Sequence, residues 1–154
     1  MILDDRLEMC DATALNTGGA GSYLLGDQID TSIAGTSTQP NDLGVDDSLY
    51  LVLQVDTTAT SGGSATVQFH LASDASASVA TDGSATYHFS TAAIPVATLV
   101  AGYTIAAVKL PSGVYERYLG ILQTTAVAAL TAGKINAFLT NDVSRIRHYA
   151  DAAN

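Results

Sequence analysis

The sequence predicts an all-β protein, two antiparallel sheets packed as a sandwich, and three observations lead there. Apolar and polar side chains alternate through the middle of the chain, the alternating runs are short, and turn residues separate them. Many short strands at regular spacing suggest a sandwich or barrel. No long amphipathic pattern lies between the runs.

Candidate strands can be followed in chain order. Residues 7–11 and 22–25 flank the glycines Gly18, Gly19 and Gly21. Over 48–57, Leu49, Leu51, Leu53 and Val55 alternate with Tyr50, Val52 and Gln54, a strand buried on one face and partly covered on the other. Ala65, Val67, Phe69 and Leu71 alternate with Thr66, Gln68 and His70. The turn segment 57–63 ends in Gly62-Gly63, so these two runs read as a hairpin. Residues 86–90, 103–110, 115–124 and 134–140 complete the set, punctuated by Pro111-Ser112-Gly113 and Thr131-Ala132-Gly133. Segment 92–101 is apolar, but Pro95 and its β-branched residues disfavour a helix. The count is about eight strands, roughly four per sheet, since two facing sheets manage exposed edges. Segments 26–47 and 72–84 read as long loops, of a length that is usually functional or mobile. No internal repeat suggests a solenoid or propeller.

With 154 residues the chain is predicted to form a single domain, 1–154. Hydrophobic residues make up 47% and suffice for a core, whereas charged residues are only 14%, against about 25% in an average domain. The surface must then be built from Ala, Ser, Thr and Gly. Fifteen acidic and six basic side chains give a net charge of −9 and a pI near 4.3. That balance argues against nucleic acid, which needs clustered Lys and Arg. No apolar run approaches the ~20 residues of a membrane-spanning helix, and no secretion signal is visible. The single cysteine, Cys10, excludes an intramolecular disulfide and reads as a small buried hydrophobe. Residues 1–100 carry twelve acidic side chains and one basic one; residues 101–154 carry three and five.

Chemistry finds little footing. His70 and His88 fall in strand-like segments, where a partly buried histidine is ordinary. The chain holds no Gly-x-Ser-x-Gly elbow, phosphate loop or His-Glu-x-x-His. Gly18-Gly19-Ala20-Gly21 does not open a strand–turn–helix unit. Asp42, Asp46 and Asp47 lack the ligand spacing of a calcium loop and read as a solvated acidic turn, as do Asp27 and Asp30. A sugar platform is disfavoured by the absence of Trp. No catalytic residue, cofactor or metal is expected.

Several segments resemble the small capsid cement, or decoration, proteins of tailed bacteriophages. They are Gly133-Lys134-Ile135-Asn136-Ala137-Phe138-Leu139, Leu110-Pro111-Ser112-Gly113 followed by Arg117-Tyr118-Leu119, and the opening Cys10-Asp11-Ala12-Thr13-Ala14-Leu15 with Asp27-Gln28-Ile29-Asp30. Leu43-Gly44 before the strand at 48–57 adds to the likeness; segments 17–21 and 72–84 do not align. The resemblance implies a jelly-roll sandwich, made in the host cytoplasm, that sits on the outside of an icosahedral shell. Its partners would be the major capsid protein and other copies of itself, as a homodimer or a trimer. A non-catalytic receptor- or carbohydrate-binding module of a virion is the alternative, and a β-sandwich hydrolase a third. The flanks 1–15 and 141–154 are expected to be contact arms, and the loop 26–47 a docking element. The contact residues expected on them are Asp27, Asp30, Asp42, Asp46, Asp47, Arg145, Arg147 and His148.

Overall fold

The computed structural model describes residues 5–31, 41–43 and 49–143, with the backbone alone for Asp5 and for 41–43. Among the described residues there are eleven strands: β1 (Glu8–Ala14), β2 (Gly21–Asp30), β3 (Asn41–Leu43), β4 (Tyr50–Ser61), β5 (Thr66–Asp74), β6 (Thr86–Ser90), β7 (Ile94–Pro95), β8 (Thr104–Lys109), β9 (Gly113–Tyr115), β10 (Tyr118–Ala126) and β11 (Leu130–Thr140). One sheet runs β1-β11-β4-β8 and the other β2-β10-β5-β6, with β7 beside β5; β3 and β9 form a separate pair. All pairings are antiparallel. The chain crosses between sheets at almost every step, and its first and last strands pair. This is the jelly-roll order, as the capsid-protein resemblance implied.

Alternation explains the core. Leu51, Leu53 and Val55 of β4, with Ile135, Ala137 and Leu139 of β11, meet Val67, Phe69 and Leu71 of β5 and Leu119 and Ile121 of β10, all buried. Burying such a side chain fully contributes about 1.5–3 kcal/mol. On β4 the outer face is covered too, with Val52 and Gln54 buried.

The expected hairpin between the runs at 48–57 and 65–71 is corrected. β4 and β5 lie in opposite sheets, and the 62–65 turn carries the chain across the core. Period-two alternation says which side chains face inward, not which strand is the neighbour. The expected loop 26–47 is shorter as well. Residues 26–30 belong to β2 and 41–43 pair with 113–115. Segment 72–84 is not an open loop: Val79 and Ala85 pack on Ala72 and Leu122, on the outer face of the second sheet. Asp74 holds that cover down, its two carboxylate oxygens accepting from the Ser76 and Ala80 N–H groups at 2.9 Å.

The N-terminal arm expected at 1–15 is corrected too. β1 is an edge strand of the sandwich, and Met9, Cys10 and Leu15 are core. Extra residues on β1 at Met9 and at Asp11-Ala12 bulge it against β11, so the consecutive Met9 and Cys10 both turn inward. Burial pushes the Cys10 thiol up to about 12, against a lowering hydrogen bond from Thr13. The second bulge is fastened by the Ala12 N–H, which donates to Asn136 Oδ1 at 2.6 Å.

β2 bulges opposite. Leu119 faces Ile29 while Ile121 faces Leu25, so Gly26, Asp27 and Gln28 are squeezed against a single β10 residue. Gly26 takes a φ of +60°, and a Cβ there would lie 2.0 Å from the Met9 carbonyl oxygen and 2.8 Å from Cys10 Sγ. Gly26→Ala should therefore destabilise the protein by about 2 kcal/mol or more, since strain at a left-handed position and a backbone clash add. Urea unfolding checks this; a variant as stable as the wild type would contradict the close approach of β1 and β2.

Candidate functional site

Of the expected contact residues only Asp27 and Asp30 have described side chains, and both line one cleft along β2. Asp27 is exposed on the β2 bulge. Asp30, at the end of β2, takes a bidentate pair from Arg117, Nε to Oδ1 at 2.9 Å and Nη2 to Oδ2 at 2.8 Å. The Arg117 carbonyl also accepts from Thr31 N–H and Oγ1, which ties the end of β2 to the start of β10. Asp42 lies on β3, where only the backbone is described. Asp46, Asp47, Arg145, Arg147 and His148 lie outside the described residues, as does most of the arm at 141–154. Among the described acids, several serve the chain itself. Besides Asp30 and Asp74, Asp82 Oδ1 accepts from Ser84 N–H and Oγ, which holds its pKa below the usual carboxylate range.

Between the two facing bulges, a cleft of about 460 Å³ opens along the β1–β2 edge. Glu8, Asp11, Asp27 and Asp30 line it together with Arg6, so it is acidic, as the sequence of this part of the chain foretold. Met9, Thr13 and Ile29 supply its less polar wall.

Both expected histidines are structural links. On the outer face of the second sheet a hydrogen-bond chain crosses four strands. Ser22 Oγ meets Thr124 Oγ1 at 2.9 Å, Thr124 Oγ1 meets His70 Nε2 at 3.1 Å, and His70 Nδ1 meets Ser90 Oγ at 2.7 Å. Tyr87 stacks on the His70 ring, 4.7 Å between centroids. His88 Nε2 lies 2.7 Å from Ser73 Oγ and its ring stacks on Tyr115 at 3.7 Å. The distance suits a nucleophile–base pair, but Ser73 is fully buried and already accepts the Glu116 N–H. Burial lowers both histidine pKa values from 6.5, with Glu116 opposing the effect at His88.

One end of the sandwich is built from loops without charge. Residues 12–26, 57–73, 83–108 and 118–133 contain no Asp, Glu, Lys or Arg. Each stretch is centred on a connection between the long strands, and the jelly-roll order brings those four connecting loops (15–20, 62–65, 91–103 with the two-residue β7 inside it, and 127–129) to one end. Contacts knit them: Val96 N–H donates to the Ala65 carbonyl at 3.0 Å, Ser61 Oγ to the Ala129 carbonyl at 2.7 Å, and Asn16 N–H to Gln123 Oε1 at 2.9 Å. Here stand Val127, Val100 and Tyr103, 76%, 48% and 37% exposed. Asp56 and Lys134, the nearest charges along the chain to two of these loops, sit on the strands behind them. Sequence reasoning divided the charge between chain halves and missed this, because the neutral end is assembled from four separate stretches.

Because the folded state binds protons at His70 and His88 less readily than the unfolded chain, their contribution is complete above the unfolded pKa of 6.5. It is lost as pH falls below that value, through the lower folded values. Melting temperature should be level from pH 8 to about 7 and decline between about 6.5 and 5, before carboxylates titrate. A His70→Gln, His88→Gln double variant should show a flatter decline. An unchanged slope would contradict the burial of the two rings.

No curated protein matches the chain. The Bbp16 family model matches residues 20–139, from the turn before β2 to the penultimate residue of β11, and so covers most of the sandwich. On that match the chain belongs to the Bbp16 family.

Proposed function

We propose that this protein is a non-enzymatic virion component that binds the outer surface of an icosahedral phage capsid and holds adjacent major capsid subunits together. The strand order carries this reading. The sheets β1-β11-β4-β8 and β2-β10-β5-β6 have the jelly-roll topology that the resemblance to capsid cement proteins implies. The surface suits the role. Small neutral side chains allow close backbone approach and lose little side-chain entropy on docking. Repetition around a shell multiplies modest affinities. The histidines favour a structural part over a catalytic one, since each is committed to hydroxyl partners within its own sheet.

Attachment in this reading is mainly neutral. Asp30, Asp74 and Asp82 spend their carboxylates on the chain, and the surplus charge keeps free copies soluble and apart. The test is co-sedimentation with capsids assembled without this protein, from low to high salt. Expected are saturable binding, a higher temperature of shell disruption, and an affinity that holds or rises with salt, because charge repulsion is screened over about 8 Å at physiological ionic strength. Absence of binding would overturn the function. A steep loss of affinity with salt would overturn the neutral contact and place an acidic surface, such as the β1–β2 cleft, against the shell.

A further inference from the structure

We propose that the groove between the β1 and β2 edges seats the chain's own basic segment, residues 144–154, with Arg145 and Arg147 reaching the carboxylates on its two walls. The inference does not depend on the capsid reading, and three observations carry it. The first is the groove itself. Among the described residues β1 pairs with β11 alone and β2 with β10 alone, so two edge strands lie side by side. Open edges carry backbone groups ready to bind another segment, and proteins commonly cover them with a loop. Between these edges a groove of about 460 Å³ has Glu8 and Asp11 on one wall and Asp27 and Asp30 on the other, with Arg6 as the one cation lining it. Arg117 already serves Asp30, but Asp11 and Asp27 have no cationic partner among the described residues.

The second observation is where the segment starts. β11 runs antiparallel to β1 with Phe138 opposite Glu8, so its last residues pass beside the turn at Asp5–Leu7 that precedes β1. The chain therefore leaves Thr140 at the Glu8 end of the groove. It bends there, the Asp142 N–H donating to Thr140 Oγ1 at 3.2 Å. Arg145 and Arg147 follow Thr140 by five and seven residues. At about 3.4 Å per extended residue they reach up to about 17 and 24 Å from it, whereas Glu8 to Asp11 is a rise of about 10 Å. In an extended run alternate side chains share a side, so Arg145 and Arg147 face one way with Ile146 between them.

Charge is the third observation, and it selects this segment as the occupant. Outside the described residues the chain has 1–4, 32–40, 44–48 and 144–154, and of these only 144–154 contains Lys or Arg. Segments 1–4 and 44–48 bring further carboxylates, Asp4, Asp46 and Asp47, which the groove would repel. Arg145 and Arg147 stand clear of the one acid of 144–154, Asp151. A metal ion fits less well, since no three acidic, histidine or cysteine groups among the described residues are placed to hold one. Guanidinium groups pair with carboxylates in two-point fashion, as Arg117 does with Asp30. Each exposed pair is weak, but a segment tethered at the groove binds intramolecularly. Seated there, the segment expected as a contact arm folds back on its own domain.

A nitroxide label on the full chain, read by nuclear magnetic resonance, tests the contact. Ala150→Cys supplies the attachment point, because Cys10 is buried with its thiol pushed up to about 12 and stays unlabelled. At low salt the amide signals of Asp11, Thr13, Asp27 and Gln28 should be broadened. The broadening should fall about twofold or more at about 1 M salt, where charges are screened within about 3 Å, and likewise in an Arg145→Glu, Arg147→Glu variant. An Asp11→Lys, Asp27→Lys variant should lose the contact at an unchanged melting temperature, because both positions are exposed. Adding Arg145→Glu and Arg147→Glu to that variant should restore it. Broadening indifferent to salt and to charge reversal would overturn the proposal, since a tethered but unseated label behaves that way. So would broadening found only on copies without the label when the two are mixed, which would assign the segment to a neighbour's groove. No capsid is present, so this failure and failure of capsid binding are told apart.

Discussion

Two rows of alternating side chains, buried against each other across the sandwich, are what the rest of this protein depends on. β4 and β11 present one row, β5 and β10 the other, and the longest uninterrupted ladders run between members of the same pair. A slip of one residue in either ladder would turn its inward set out to water. That fixes the registers, and the registers fix everything at the edges and ends. Where β1 and β2 must follow this core at the open edge, both do so with bulges. Gly26 and Ala12 take positive φ values because the chain is bent there to keep two edge strands close.

Polar groups in the sheets are placed by the same constraint. His70 and Gln123 come from neighbouring strands but opposite faces, and each finds partners on adjacent elements. His70 is bonded to hydroxyls of β6 and β10, and Gln123 to the Asn16 backbone and to Thr125 Oγ1. A buried polar side chain without such partners costs about 1–3 kcal/mol, so these links stabilise one arrangement of loops over others. Gln123 pins the 15–20 loop in this way, at the end where the uncharged loops meet.

Strand positions were legible in the sequence wherever one face is apolar and the run is unbroken. β4, β5, β6, β8, β10 and β11 all fall on predicted runs, with ends shifted by a few residues. β2 was seen only at its first half, because the bulge at Gly26, Asp27 and Gln28 breaks the alternation and fills the break with polar residues. Partner choice was not legible. The Gly62-Gly63 turn looks the same whether it closes a hairpin or crosses between sheets, and topology here chose the crossing. The Asp30–Arg117 pair was hidden for a related reason. Its members are 87 residues apart and meet only because β2 and β10 are neighbours. The neutral end was likewise written in the sequence as four charge-free stretches, yet their convergence is a property of the jelly-roll order alone.

That order is therefore the claim on which the reading of the surface stands, and proton–proton contacts from nuclear magnetic resonance test it most directly. The account predicts short cross-strand contacts joining Thr13 to Ile135, Leu53 to Ala137, Ser22 to Thr124 and Phe69 to Gln123. It predicts none of the ladder contacts that a β4–β5 hairpin would make, such as Val55 to Val67 across backbones. A ladder between residues 50–61 and 66–74 would contradict it, and with it the gathering of the four uncharged loops at one end.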